Sequence, residues 1–337
     1  MKTQNAITSV ALIIVVILVL LAFLLFEWDS TGESDVTDVT TNPFLWRIEG
    51  DNPSYLFGSM HLADERLLTL PDIVIEAIDE VDVVYTETKL DQETQLDIIQ
   101  LTLLPNGQTL DDLLPQDVNT RLDSYLSDKG LSSSIFAQYK IWYVTTNLAL
   151  LEELENLLEY PSLDQYIWNT AISKGKDTGG IETVEEQINV FDSFSVEEQI
   201  EMLNDTLDEL EEYAISGESS TSAMKDAYLD GDLEVLQDLL FSDYEENDTL
   251  YEKFKTRILT DRNYNMTQRI SENITNNPNT QYFFTIGAGH YWGDDGIIIL
   301  LENEGFTITR VQFNECDSCD SGETMINQRC YEPYVTK

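Results

Sequence analysis

Two short stretches of the sequence, "LFGSMHL" at residues 56–62 and "TIGAGHY" at residues 285–291, follow one pattern. In each stretch a glycine precedes a histidine by three residues, and His61 and His290 are the only two histidines of the chain. An apolar or aromatic run comes before each glycine and predicts a β-strand. The repetition predicts two copies of one structural unit, each with an imidazole near the end of a strand.

The first copy is predicted to pass from strand to strand through one helix. Residues 44–50 and 54–60 are short apolar runs joined by "DNP", which is typical of two strands with a turn between them. Residues 71–81 begin with a proline and keep apolar side chains at helical spacing. The β-branched run 82–88 then predicts a strand that carries Glu87 at its end.

The second copy repeats this plan: "QYFFTIG" predicts a strand, "IIILLENEG" a helix, and residues 306–313 another strand. We expect the two copies to pair in one sheet about a pseudo-twofold axis. Both histidines would then lie at the carboxyl ends of strands, where open sheets place their ligands. The predicted fold is α+β, with a central mixed β-sheet from two pseudo-symmetric strand–GxxH–helix–strand units, a large helical insertion and an N-terminal transmembrane helix.

The insertion between the copies, about residues 92–280, is predicted to be helical. Residues 145–160, 195–217 and 251–274 carry apolar residues at helical spacing. Within the first of these segments a leucine stripe predicts a buried face, and its members are Leu150, Leu154, Leu157 and Leu158.

The N-terminal segment is expected to anchor the chain in a membrane. Residues 10–26 contain no polar side chain and, with the few residues before them, are long enough to span a bilayer as a helix. Lys2 precedes this segment and acidic residues follow it, so the positive-inside rule places the main domain outside the cell. We expect an uncleaved single-pass signal anchor in the cell membrane, and a cleaved signal peptide is the alternative.

Composition predicts four parts of the chain. These are a cytoplasmic stub with the transmembrane anchor (1–26), a flexible stalk (27–43), a main domain (44–315) and a cysteine-containing tail (316–337). The tail holds Cys316, Cys319 and Cys330. One disulfide with one thiol left over is the first expectation outside the cell, and a three-thiolate zinc site is the alternative.

The charge of the chain excludes one class of partner. Asp and Glu number 63 against 18 Lys and Arg, which gives a net charge of -45. Nucleic acid would be repelled at long range. A strongly hydrated acidic surface suits a salty environment, and an acidic trap for cations or basic substrates is the second interpretation. An apolar fraction of 42% argues against wholesale disorder.

The residues that remain for chemistry are two imidazoles and many carboxylates. The sequence contains no H-E-x-x-H, G-x-S-x-G or Walker A motif, and the spacing of Gly287, Gly289 and Gly293 departs from a dinucleotide-binding loop. The glycines before the histidines are expected to let the backbone turn sharply. Neutral His61 and His290 together with Glu87 would form a metal-ligand set that is open to water.

A resemblance extends over residues 44–313. The segments "FGSMH", "PDIVIEAIDEVDVVYTE", "GGIETVEEQ", "DRNYNM" and "IGAGHYWGDDGIIILLENEGFTITRV" are similar to the TraB/GumN family, which includes the Tiki proteases. The family implies a twofold-related α+β core with a helical insertion. For the Tiki branch it implies a metal-dependent peptidase that prefers manganese or cobalt.

By matching motif, the resemblance assigns the metal and catalytic roles to His61, Glu87 and His290. Arg262 and Asn263 match an Arg-Asn pair of the family, and an arginine there could hold a substrate carboxylate or the developing oxyanion. Further matches are Glu182 in "GGIET", to which no role is assigned, and Asp164 in "PSLDQY", where Ser162 replaces a glycine that is frequent in the family.

The sequence therefore predicts a membrane-anchored, metal-dependent hydrolase, most simply a peptidase acting on a peptide or protein. The metal is a divalent ion: Mn, Co or Zn. Glu87 is a ligand or the general base, and sequence leaves both roles open. The alternatives are a non-catalytic ectodomain that binds or sequesters peptides, and a metal-free esterase with a histidine base. The oligomeric state is left open.

Overall fold

The computed structural model describes residues 42–216, 220–241 and 249–311, and two short strands at 324–326 and 329–331. The predicted anchor, nearly all of the stalk, and Cys316 and Cys319 lie outside the described residues, and at Cys330 only the backbone is described. No helix in the described part of the chain is both long and apolar enough to cross a membrane.

A six-stranded mixed sheet forms the centre of the protein. Its strands, with a separate antiparallel pair β7–β8, are β1 (Leu45–Ile48), β2 (Ser54–Ser59), β3 (Val83–Thr86), β4 (Asp177–Gly180), β5 (Tyr282–Gly287), β6 (Ile308–Arg310), β7 (Thr324–Ile326) and β8 (Arg329–Tyr331). The order across the sheet is β4-β3-β5-β2-β1-β6. Strands β4, β3, β5 and β2 run parallel, while β1 is antiparallel to both of its neighbours. The predicted α+β fold with a mixed sheet is confirmed.

The first strands of the two copies, β2 and β5, are neighbours at the centre of the sheet. They pair in parallel, with Ser59 opposite Gly287. The second strand of each copy lies beyond the first strand of the other: β3 lies next to β5, and β6 lies beyond β2 with β1 between them. The insertion of β1 is the main departure from twofold symmetry. Because β2 and β5 are central, both are buried along their whole length.

Helices make up most of the remaining chain. Their bounds are α1 (Glu65–Leu68), α2 (Asp72–Glu80), α3 (Gln92–Leu101), α4 (Leu110–Leu113), α5 (Gln116–Asp128), α6 (Ile141–Leu151), α7 (Leu154–Glu159), α8 (Leu163–Ser173), α9 (Val184–Asp192), α10 (Val196–Ser216), α11 (Ser220–Asp230), α12 (Leu233–Phe241), α13 (Thr249–Lys255), α14 (Asp261–Asn276) and α15 (Ile297–Asn303). A π-helical turn, Thr256–Thr260, joins α13 to α14. The core has one apolar cluster around the sheet and two among the helices.

The prediction of an all-helical insertion is wrong at one place, because β4 lies within it and pairs in parallel with β3. The predicted helix 145–160 is also two helices, α6 and α7, which are separated at Glu152 and Glu153. Two of the four stripe leucines, Leu154 and Leu158, are exposed rather than buried. The side chain that is buried there is Glu153, which forms an ion pair with Lys225 at 2.7 Å.

Candidate metal centre

Three predicted site residues follow three neighbouring parallel strands. His61 comes two residues after β2, Glu87 directly follows β3, and His290 ends a single 3-10 turn after β5. The carboxyl ends of parallel neighbours meet at one edge of a sheet, so the chain brings these side chains together. We call His61, Glu87 and His290 the imidazole–carboxylate centre.

Both imidazoles approach the same carboxylate oxygen. The Nε2 atom of His61 lies 3.4 Å from Glu87 Oε1, and the Nε2 atom of His290 lies 3.8 Å from it. His61 is 8% exposed, Glu87 is 4% exposed and His290 is fully buried. The two rings therefore lie close enough for a shared ion, for which bond lengths are about 2 Å.

A polar partner fixes the orientation of each ring. His61 Nδ1 lies 2.8 Å from Asp164 Oδ2, and the other Asp164 oxygen accepts a hydrogen bond from Ser59 Oγ at 2.7 Å. His290 Nδ1 lies 2.5 Å from Asn263 Oδ1, while Asn263 Nδ2 donates to a backbone carbonyl at 2.8 Å. Since both partners are acceptors, each ring donates from Nδ1 and turns Nε2 towards Glu87.

The Glu87 carboxylate is held from two sides. Oε1 accepts the Gly287 N–H at 2.7 Å, and Oε2 accepts from Arg262 at 2.6 Å. Gln187 also donates to Oε2, at 3.1 Å. The Arg262 guanidinium also donates to Glu182 at 2.6 Å and to the Ile258 carbonyl at 3.2 Å. Arg262 therefore binds two buried carboxylates. It follows the π-helical turn closely, and π-helical turns are frequent at functional sites.

Burial and charge act differently on the titratable groups. Burial opposes charge on His61, but the carboxylates of Asp164 and Glu87 outweigh it and raise the pKa of His61 to about 10. Burial, reinforced by Arg262, lowers the pKa of His290 to about 3. Burial alone would raise the pKa of Glu87, yet Arg262 and His61 hold it well below its usual range. Glu87 is therefore ionised and His290 neutral at neutral pH.

The glycines of the two motifs have different roles, and neither role needs a left-handed backbone. Neither Gly58 nor Gly287 has a positive φ. A Cβ atom at Gly58 would lie 2.8 Å from the Phe44 Cβ atom, so only glycine fits there. The amide of Gly287 is a hydrogen-bond donor to Glu87. At Gly287 the chain enters the 3-10 turn Ala288–His290 directly, which agrees with the expected turn, whereas Gly58 is required by close packing.

The ligand atoms are of the types that bind a divalent ion, although they are not yet arranged around one point. No group of three or more His, Cys, Asp or Glu side chains in residues 42–311, as far as these are described, already surrounds a point as metal ligands do. Arg262 Nη1 lies 3.3 Å from His290 Nε2, inside the space that a ligand shell would use. Against this, His61 Nε2 is buried without a hydrogen-bond partner and faces an ionised carboxylate. Two imidazoles and a carboxylate are a common ligand set for zinc and related ions.

The structure also brings Arg262 and Asn263 to this centre, each in contact with His290. Two contributors were not among the predicted site residues: Asp164, which orients His61, and Glu182, which pairs with Arg262. Local sequence gives no signal for either role, because Asp164 is 103 residues from His61 and Glu182 is 80 residues from Arg262. Only the motif resemblance pointed to these two positions.

Comparison with known proteins gives consistent matches. The sequence model of the TraB/PrgY/gumN family matches residues 44–310. The chain is similar to Metalloprotease TIKI1 of Danio rerio, at 28% identity over 83% of this chain and 64% of the relative. A Metalloprotease TIKI homolog of Amphimedon queenslandica is 26% identical over 82% of this chain and 63% of the relative. Metalloprotease TIKI1 of Homo sapiens is 26% identical over 79% and 61%, respectively.

The chain thus spans less than two thirds of the length of these relatives. No solved structure matches it.

Proposed function

Since this chain belongs to the TraB/PrgY/gumN family, whose model covers its whole central domain, we propose that it is a metal-dependent peptidase. The relatives named metalloproteases support this reaction class. The observation that carries the proposal is the approach of His61 Nε2 and His290 Nε2 to one oxygen of the buried Glu87 carboxylate.

His61, His290 and Glu87 would hold the divalent ion, which is manganese, cobalt or zinc. When bound, such an ion polarises a peptide carbonyl and lowers the pKa of a water molecule. Asp164 and Asn263 keep the two Nδ1 atoms engaged, so that both Nε2 atoms face Glu87, and His61 would release its Nε2 proton when the ion binds. Ser59 holds Asp164 in turn.

Glu87 suits the role of ligand better than that of general base. A general base works best with a pKa near the working pH, whereas Arg262 holds the pKa of Glu87 far below it. Arg262 keeps the carboxylate ionised and in place, and Glu182 keeps Arg262 in place. In this arrangement Arg262 is a positioning residue.

The substrate class follows from the reaction class: a peptide or a protein. We further propose that residues 10–26 anchor the enzyme as a single-pass protein with its catalytic domain outside the cell. The apolar length of that segment and the basic residue before it support this orientation. Extraction of membranes at alkaline pH tests the anchor, because a spanning protein stays with the bilayer and a peripheral one is released.

The activity is tested on the full chain in detergent with a quenched mixed-sequence peptide library. We expect about one divalent ion per chain by elemental analysis. Cleavage should stop with a chelator and return with added Mn²⁺. Glu87→Gln should lower kcat/KM by about 100-fold or more because it removes a charged ligand.

Glu80→Gln is the matched control, since Glu80 is an exposed carboxylate on α2, and it should keep the parent activity. Turnover that persists in a metal-free preparation would exclude the metallopeptidase. Stoichiometric peptide binding without turnover would favour the sequestering ectodomain instead.

A further inference from the structure

A groove of about 540 Å³ lies between two helices of the insertion. One wall is α3, the other is α8, and β4 contributes Thr178. The volume falls within the range of about 300–1,000 Å³ that is typical of ligand sites. The role proposed above for the centre does not use this groove.

Each helical wall presents one stripe of residues to the groove. On α8 the stripe includes Trp168 and Ile172, and on α3 it includes Leu96 and Ile99. Leu96 is 50% exposed and Ile172 is 54% exposed. Helix α3 has no fully buried residue along its length, which is unusual for a helix with apolar positions. Two exposed apolar side chains on opposite walls form a surface that an apolar ligand would cover.

Two residues that line the groove are close to the centre along the chain. Lys89 lies two residues after Glu87. Gln165 directly follows Asp164, the residue that orients His61. Two extended residues span at most about 7 Å, so the backbone of Lys89 lies within about that distance of Glu87.

Polar groups suited to a peptide backbone accompany the apolar stripes. Gln165 is 1% exposed, and its Oε1 atom has no hydrogen-bond partner among the described residues, while its Nε2 atom donates to Asn169. A buried acceptor without a partner is costly, and a ligand N–H would satisfy it. Strand β4, which contributes Thr178, is the last strand of the sheet, so one of its edges pairs with no other described strand. Extended peptides bind to such edges.

The charge of the groove selects among peptides. The charged residues that line it are Lys89 and Asp91, and the Asp91 carboxylate caps α3 by accepting from the Thr94 N–H at 2.9 Å. The groove is therefore close to neutral in a chain with a net charge of -45. A basic segment would gain little there, whereas an apolar segment would bury Leu96 and Ile172.

We propose that this groove binds an extended, apolar segment of the peptide substrate. The inference rests on the proposed peptidase function. Leu96, Trp168 and Ile172 contact the side chains of the segment, while Gln165 and the edge of β4 contact its backbone.

The test separates binding from cleavage. Mixed-sequence dodecapeptides carrying fluorescein are selected on the full chain in detergent with a chelator present, and their affinities are measured by fluorescence anisotropy. Ile172→Glu and Leu96→Glu should each weaken binding by about tenfold or more, because a charge would be desolvated by the bound segment. Ile172→Leu should retain binding.

Ile135→Glu is the matched control, since Ile135 is 50% exposed and lies outside the groove, and it should bind as the parent does. Selection of apolar peptides that lose affinity only in the groove variants supports the proposal. It is overturned if no library peptide binds, if the selected peptides are basic, or if the groove variants bind as the control does.

The same peptides are then offered to the metal-loaded chain. If the peptides bind but are not cleaved, the groove proposal stands and the peptidase proposal fails. If Ile172→Glu cleaves them with an unchanged KM, the peptidase proposal stands and the groove proposal fails.

Discussion

At the scale of single residues, the centre depends on a chain of buried charges. Glu182 holds Arg262, Arg262 holds Glu87, and Glu87 faces both imidazoles. All of these groups are nearly excluded from water. Each charge is tolerated because the next one compensates it, so removing one member leaves another unpaired.

Arg262→Ala should destabilise the protein by about 3–5 kcal/mol, because two buried carboxylates lose the guanidinium that compensates their charge. Urea unfolding followed by circular dichroism measures the change. Arg269→Ala is the control, because its ion pair with Glu186 is solvent-exposed and should be worth less than about 1 kcal/mol. Equal losses in the two variants would contradict the account of a buried charge chain.

Glu186 gives a prediction for pH. Hydrogen bonds from Arg269 lower the pKa of Glu186 to about 2, below the value of about 4.3 expected in the unfolded chain. Its contribution to stability is therefore present above about pH 4.3 and is lost as the pH falls towards 2. Because the pair is exposed, the contribution should stay below about 1 kcal/mol.

Thermal unfolding of Glu186→Gln and the parent checks this at several pH values. Glutamine keeps the capping box with Thr183, so the comparison isolates the charge. We expect the variant to be less stable at pH 7 and to approach the parent only as the pH falls to about 2. A deficit that persists at the acidic end would rule out the electrostatic explanation.

The sequence was sufficient to identify His61, His290 and Glu87 as candidate site residues. Residue type marks all three, and a repeated local spacing marks the two histidines. It could not assign Asp164 and Glu182 to their partners, because those contacts form only when distant segments fold together. It also could not show the close approach of Gly58 to the Phe44 Cβ atom, because that packing joins two different segments of the chain.

At the scale of elements, β4 places Glu182 beside the centre. The parallel pairing with β3 continues past the strand, where the Glu182 N–H donates to the Glu87 carbonyl at 2.7 Å. The strand reads "DTGG", which is short, rich in glycine and without apolar alternation. Sequence patterns therefore give no strand signal there, and β4 forms because β3 offers it an edge.

Gly180→Ala tests this element. A Cβ atom there would lie 2.7 Å from the Lys89 backbone nitrogen and 3.0 Å from the Thr88 carbonyl carbon, so the backbone after Glu87 would have to move. We expect a loss of about 1–3 kcal/mol in stability and weaker metal binding. Both are measured on one preparation, by urea unfolding and by metal titration.

Gly50→Ala serves as the control for this substitution. Its added Cβ would meet only the Asn52 carbonyl oxygen, at 3.9 Å, in ordinary contact. Metal affinity that is unchanged in Gly180→Ala would show that β4 does not position the centre.

The break between α6 and α7 shows a second limit of sequence patterns. The leucine periodicity there predicts one amphipathic helix, but the helix ends where Glu153 turns inward. Its carboxylate accepts from Thr221 at 2.5 Å and pairs with Lys225. A buried ion pair between distant helices thus determines which side chains of this segment are buried. Leu154 and Leu158, which follow Glu153, are exposed to solvent.

At the scale of the whole molecule, the repeated unit explains why one centre can draw on both ends of the chain. Strands β2 and β5 belong to different copies and are adjacent, so the histidines that follow them meet. This part of the architecture could be predicted because it follows from internal repetition. The pairing of β1 with β2 could also be predicted, from the short turn between residues 44–50 and 54–60, whereas the pairing of β6 with the other edge of β1 has no local signature.

The central claim is that His61, His290 and Glu87 hold one divalent ion. Pulsed electron paramagnetic resonance of the Mn²⁺-loaded full chain tests it most directly, because the chain has no imidazoles other than these two. The account predicts one bound Mn²⁺ per chain with nitrogen coupling from two imidazoles, reduced to one in His61→Ala. Bound Mn²⁺ without nitrogen coupling, or no stoichiometric binding, would contradict it.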